Sequence, residues 1–375
     1  MGYVGDETSI VLPDKISNNS YGLYDYAFYR HNEISEVIIS NNVSSIGISA
    51  FEGCYSLSNL VLPTSITSIN TNAFKDCANF TEIVIPNSVS YLGEGVLSGC
   101  SSLENITLPF IGSVANPTEQ SKSTVFGYIF GQYNYTGATA TSQSYASSGN
   151  VIQGVTYYIP TKLKKATITG GKVLYGAFSE CVMLTTIILP NGITSISEAA
   201  FEECLGLTTI TIPASVKYIE KQAFIQCTNL VEVKFSEGLI SIGLQAFGYC
   251  SSLKNLVIPN SVTEIEAYAF SRCSSLTNVS LGEKVEYIGN AAFEYCNNLV
   301  TITIPFGVNS IGLGAFSGCN SLKGIIFQDV TTWYKTSSSN DWENKTNGTE
   351  IDLSDASANI SYFSLWSSSG YFYKL

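Results

Sequence analysis

The ten cysteines of this chain keep a single spacing. They are Cys54, Cys77, Cys100, Cys181, Cys204, Cys227, Cys250, Cys273, Cys296 and Cys319, and successive members lie 23 residues apart, except for the 81 residues between Cys100 and Cys181. A strict period means one structural position filled once per repeat, which constrains the fold more than any local propensity does. The residues around each cysteine keep the same register. Alanine and phenylalanine precede it in Ala50-Phe51, Ala73-Phe74, Ala177-Phe178, Ala200-Phe201, Ala223-Phe224, Ala246-Phe247, Ala269-Phe270, Ala292-Phe293 and Ala315-Phe316, with Val96-Leu97 substituting once. Three residues after it comes an apolar side chain such as Leu57, Leu184, Leu253 or Leu299. An alternating stretch follows, for example Leu256-Val257-Ile258-Pro259 or Ile302-Thr303-Ile304-Pro305. Period-two alternation of β-branched residues predicts a short strand, and a proline, lacking a donor, ends its ladder.

The register extends backwards. Ala27-Phe28 lies 23 residues before Ala50-Phe51 and puts His31 at the cysteine position, so eleven coils are predicted: four ending at 31, 54, 77 and 100, and seven from 181 to 319. One more strand, Ile10-Val11-Leu12-Pro13, precedes them. Within a coil, Leu256 and Ile258 are expected to point inward with Ile265, Phe270, Cys273 and Leu276, while Val257 points out. Each coil alone is under-buried, so stability must come from neighbour on neighbour. That removes the usual reading of 375 residues as two or three domains.

Only 13% of residues are charged and 45% are hydrophobic, which suits a large core. The net charge of −12 disfavours nucleic acid and anionic membrane surfaces as partners. No apolar run reaches the 18 or more residues of a transmembrane helix. The first residues show no basic stretch followed by an apolar one, so no signal peptide is read there. The chain is then either cytoplasmic or recorded without its export signal.

The stretch CSSLKNLVIPNSVTEIEAYAFSRC, from Cys250 to Cys273, resembles the BspA-like, or Treponema-type, leucine-rich repeats of bacterial and some protist surface proteins. The resemblance covers residues 30–110 and 165–327, and Phe126-Gly127-Tyr128-Ile129-Phe130-Gly131 and Trp333-Tyr334 look like further features of such proteins. It implies a repeat solenoid: a right-handed leucine-rich-repeat superhelix of 23-residue coils, with a parallel β-sheet on the concave face and short strands, 3-10 or helical turns on the convex side. It also implies an extracellular or cell-surface module that binds proteins or glycans on host or neighbouring cells. The family motif contains no catalytic residue, and no cofactor is expected. The expected organisation is a solenoid over 1–327, comprising N-terminal coils to 110, an elaborated insert over about 111–165 and a second block over 166–327. An aromatic-rich cap over 328–375 follows, containing Trp333, Trp342 and Trp366. Gln120–Asn150, rich in Ser, Thr, Gly and Tyr, reads as a loop that either contacts partners or merely tolerates insertion.

The outward strand positions form the candidate contact surface: Ile38, Val61, Val84, Thr107, Ile188, Thr211, Lys234, Val257, Ser280, Thr303 and Ile326, flanked by Glu36, Asn59, Glu82, Asn105, Thr186, Thr209, Glu232, Asn255, Asn278 and Thr301. An exposed apolar strip marks a partner site, although β-branched residues also suit strands for their own sake.

Catalytic chemistry finds little support. His31 is the only histidine, and its register is a packing position. Cysteines 23 apart do not match zinc spacings, and parallel side chains in a ladder suit reduced, buried thiols better than disulfides. The carboxylates are scattered, and the basic cluster Lys162, Lys164, Lys165 and Lys172 reads as a solvated loop. The chain is therefore expected to be a non-catalytic interaction or adhesion scaffold; the alternative is a structural spacer within a larger surface protein.

Overall fold

The computed structural model describes residues 3, 5–16, 19–147, 151–363 and 370–374. The chain forms a β-solenoid of the leucine-rich-repeat type, with coils of about 23 residues, parallel strands and almost no helix. It divides into two compact units, Met1–Asn191 and Gly192–Leu375.

Each regular coil contributes two short strands. In the first unit the face strands are Ser9–Val11, Glu36–Ile38, Asn59–Val61, Glu82–Val84, Asn105–Leu108, Lys165–Ile168 and Thr186–Ile188. The second unit continues with Thr209–Thr211, Glu232–Lys234, Asn255–Val257, Asn278–Ser280, Thr301–Ile304 and Gly324–Phe327. Their burial alternates as the sequence pattern predicts: Leu256 and Ile258 are buried while Asn255 and Val257 are exposed. Pairing is parallel and in register, one repeat to the next, as in Glu36↔Asn59 and Asn255↔Asn278. The second, shorter strands, such as Ser68–Ile69 and Glu264–Ile265, pair in the same manner along a neighbouring side.

The third side of each coil carries the Ala-Phe-x-x-Cys segment. Its N–H groups reach forward: Phe51 donates to Ala73 O at 2.8 Å, and Phe247 donates to Ala269 O at 2.8 Å. To aim them, the chain enters the left-handed region twice per regular coil, before the alanine and before the cysteine. Glycine serves at Gly53, Gly95, Gly99, Gly176, Gly314 and Gly318, but most of these positions hold other residues, among them Gln222, Gln226, Tyr268 and Arg272. Each such residue costs about 1–2 kcal/mol, offset by burial of what lies between them. Stacked phenylalanine rings run along the interior, Phe28 on Phe51 at 5.1 Å in the first unit and Phe201 on Phe224 at 4.8 Å in the second.

The ten cysteines are buried thiols, not disulfides. They do more than fill space: in eight coils the thiol donates back to the phenylalanine carbonyl of the preceding coil, for example Cys54 to Phe28 O at 3.1 Å and Cys273 to Phe247 O at 3.2 Å.

Residues 120–150, expected to be an elaborated loop, are largely ordered in secondary structure, and the strand-like alternation of Tyr157–Pro160 falls in a strand. Two 3-10 turns, Lys122–Thr124 and Phe126–Phe130, lead to an antiparallel pair of ten-residue strands, Ala138–Ser147 and Val151–Pro160. Phe126 donates its N–H to Ala177 O and lays its ring on Phe178 at 4.9 Å, while Ile129 O accepts from Leu97 N–H. The turn thereby takes the place that an Ala-Phe-x-x-Cys segment holds in a regular coil. Lys165–Ile168 re-enters the face sheet between Asn105–Leu108 and Thr186–Ile188, which corrects the reading of Lys165 as a loop residue.

At the far end of the second unit, the last strands are covered. Tyr371–Lys374 runs antiparallel to Ser310–Ile311 and pairs on its other side with Trp333–Thr336. Ile325 N–H donates to Ala356 O, and buried Asn359 donates to Ile325 O at 3.0 Å. Trp333 is buried, with its indole N–H on Asp329 O; Trp366 lies outside the described residues, as do the first two residues of the chain.

Candidate binding surface

The outward positions of the face strands form two rows. One is mainly apolar: in the first unit Val11, Ile38 and Val61 stand in register, then Val84, Thr107, Thr167 and Ile188. In the second unit the pairs are Thr211 with Lys234, Val257 with Ser280, and Thr303 with Ile326. Ile38, Val61, Val84, Ile188, Val257 and Ile326 are between 44% and 74% exposed, so these apolar side chains face solvent. Thr107 and Thr167 are half-buried, whereas Thr211, Lys234, Ser280 and Thr303 are exposed.

The other row is polar. Glu36 accepts from Ser9 Oγ at 2.9 Å and from Asn59 Nδ2 at 2.8 Å, so three consecutive strands share one carboxylate. Asn278 donates to Asn255 at 2.9 Å. Glu232 and Lys234 make a 3.5 Å ion pair with both side chains mostly exposed, which contributes little to stability. Glu82 is exposed at the start of the next ladder. Sequence reasoning missed Lys165 and Thr167, which extend both rows; the alternation Ala166-Thr167-Ile168 was visible, but no cysteine marked its register.

The face ladder is interrupted after Asn59–Val61, after Glu232–Lys234 and after Asn278–Ser280. At the second interruption a shallow depression of about 520 Å³ is lined by Thr209, Glu232, Lys234, Lys254, Asn255 and Val257. With Glu237 also in its lining it combines two ammonium groups, two carboxylates and apolar side chains, which suits reversible contact with a mixed polar and apolar surface better than enclosure of a small molecule.

His31 is half-buried; Nδ1 meets Glu33 Oε1 at 2.6 Å and Nε2 meets Tyr3 O at 3.0 Å. Neither partner is a nucleophile for it to activate. Burial pushes the Cys227 and Cys273 thiols up to about 12 and those of Cys77 and Cys250 well above the ordinary thiol value, which holds these four in the non-nucleophilic, protonated form. Among the described residues, no group of three or more His, Cys, Asp or Glu side chains is placed to hold a metal ion, and no helix is long and apolar enough to cross a membrane.

The family comparison agrees with this architecture. Six copies of the BspA type leucine rich repeat region match over residues 15–119, 152–277 and 263–369. No curated protein matches the chain. Among solved structures, a leucine-rich repeat protein from Bacteroides ovatus is 26% identical, with 85% of this chain and 72% of that chain covered and a TM-score of 0.45. The T. pallidum leucine rich repeat protein is 21% identical over 67% of this chain and 80% of its own, with a TM-score of 0.29. A leucine rich cell surface protein from Faecalibacterium prausnitzii is 21% identical over 94% and 93%, with a TM-score of 0.31. Repeats matched over most of its length show that this chain belongs to the BspA type leucine-rich-repeat family.

Proposed function

We propose that the chain is a non-catalytic adhesion or interaction scaffold, displayed outside the cell, that holds a protein or glycan of a host or neighbouring cell against its face strands. The observation that carries this reading is the row of exposed valine and isoleucine side chains in strand register. Isolated apolar residues on a surface need no explanation, but a row of them in register does. The contact residues proposed are Glu36, Ile38, Val61, Glu82, Val84, Thr107, Ile188, Thr211, Glu232, Lys234, Val257, Ser280 and Thr303. The row lacks the tryptophan, tyrosine and arginine that dominate compact hot spots, so contact is spread over many coils. The insert over about 111–165 adds a second contact element, and residues 328–375 serve as a cap to the array. Family membership supports the extracellular setting.

The test is saturable binding of the purified chain to matrix proteins, cell-surface glycans and whole cells. The double variant Val84→Lys plus Val257→Lys is expected to lose at least ten-fold in affinity, about 1.4 kcal/mol, with an unchanged circular dichroism spectrum. Equal binding by the folded double variant would refute the face-strand assignment. Silence of the parent chain across the panel would favour the spacer reading.

A further inference from the structure

The face strands are not the only surface left open. Between Lys122 and Lys162 no residue carries a charge, the longest such stretch in a chain of net charge −12. It contains the antiparallel hairpin of Ala138–Ser147 and Val151–Pro160.

The hairpin has one engaged edge and one partly free edge. Gln143 is fully buried beneath it, accepting from Gly127 N–H and donating to Ser179 O at 3.2 Å, while Ser144 N–H donates to Ser179 Oγ at 3.3 Å. These bonds hold the first strand against the solenoid. On the second strand, Tyr158 N–H donates outward to Gly131 O at 3.1 Å. Alternate residues of a strand direct their backbone groups to the same edge, so Thr156, Gly154 and Ile152 share the outward edge with Tyr158. The pairing agrees, since Gly154 lies opposite Ser144, whose own N–H points away from it. Thr156, Gly154 and Ile152 are exposed, and among the described residues no backbone partner reaches that edge. A Cβ built on Gly154 meets nothing within 4 Å.

Edge strands are normally protected by lysine, proline, a bulge or a covering loop. Val151–Thr156 carries no charge and no proline, pairs with Ser142–Ser147 without a register shift, and exposes Val151 and Ile152 by 56% and 50%.

We propose that this edge is a self-association site, where Ile152, Gly154 and Thr156 pair antiparallel with the same residues of a second copy across a two-fold axis centred on Gly154. The occupant follows from charge and symmetry. Two copies of net charge −12 repel wherever their charged surfaces meet, and this is the longest stretch where they can approach without opposed like charges. About that axis Ile152 of each copy faces Thr156 of the other, a β-branched cross-strand pair of the kind that stabilises sheets, made twice by symmetry. A two-stranded ribbon is marginal alone, and the pairing makes it four-stranded. The area covered is small, so association belongs to the weak class, with Kd on the order of 10–100 µM, and operates where copies are crowded.

Sedimentation velocity of the full chain from about 5 to about 500 µM tests this. The parent chain is expected to pass from monomer to dimer, with no weakening when salt screens the −12 charge. Gly154→Pro removes an outward donor while leaving the hairpin's inner bonds in place, and Ile152→Lys adds a charge at an exposed position. Each is expected to weaken association at least ten-fold, while Gly154→Ala stays within about three-fold of the parent. A parent chain monomeric at the highest concentration, or folded Gly154→Pro and Ile152→Lys variants that dimerise like the parent, overturns the proposal.

Discussion

A thiol that donates to a carbonyl in a dry interior must keep its proton, and this sets the chain's response to alkali. Burial raises Cys227 and Cys273 from the ordinary 9.0 to about 12, and the other shifted thiols move the same way. Between those values the unfolded chain has released protons that the folded chain still holds, so stability is fully present below about pH 9 and falls as pH rises towards 12. Denaturant midpoints are expected to stay flat from neutral pH to about 8.5 and then drop steeply; a flat profile to pH 11 would contradict the assignment. At the left-handed positions side-chain shape outweighs hydrophobicity. Tyr268, at φ 57°, tolerates asparagine there better than a β-branched residue. Tyr268→Val is expected to be less stable than Tyr268→Asn by about 1 kcal/mol in urea unfolding, the reverse of their hydrophobic order. This geometry was partly legible from the sequence: glycine recurs at these two registers in Gly53, Gly95, Gly99, Gly176, Gly314 and Gly318. The non-glycine residues elsewhere concealed it, because local propensity does not reveal that a neighbouring coil's carbonyls require the twist.

Among elements, the regular coils were readable because one side of each strand is buried and the other is not, so alternation carries the register. Val257 and Leu256 fall on opposite sides as their spacing dictates. The second strand of the insert's hairpin was partly readable, since Tyr157-Tyr158-Ile159-Pro160 shows strand-like alternation, but the first was not. Ala138–Ser147 is Ser, Thr, Ala and Tyr apart from Gln143, and that buried position is polar. Gln143 sits there because its amide satisfies buried backbone groups: it accepts from Gly127 N–H and donates to Ala177 O and Ser179 O. Gln143→Leu keeps the volume but leaves Gly127 N–H without that acceptor, at a cost of about 1–3 kcal/mol. Hydrogen exchange is expected to quicken at Gly127 and along Ala138–Ser147 while the coils before Cys100 keep their protection. Uniform loss of protection would argue that the insert and the coils melt as one.

Within each unit, cohesion is short-ranged: a regular coil bonds to the one before through its thiol and to the one after through its Ala-Phe segment. Stability is then close to a sum over neighbouring pairs. Deleting residues 251–273 joins Cys250 to Ser274 and restores the repeat pattern at the junction. The shortened chain is expected to fold with a parent-like circular dichroism spectrum per residue. Deleting residues 251–261 instead breaks the register and is expected to abolish cooperative unfolding. Loss of folding in both would show that the array is cooperative over longer distances than adjacent coils.

The thiol-to-carbonyl bond also has a meaning for heredity. Because a regular coil presents the same donor backwards and the same acceptor forwards, one regular coil fits between two others. A gene with this layout can gain or lose 23 codons through unequal exchange and still encode a protein in which every junction is satisfied. Variation in length between strains, in whole repeats and away from the insert, is the expected trace of such a bond.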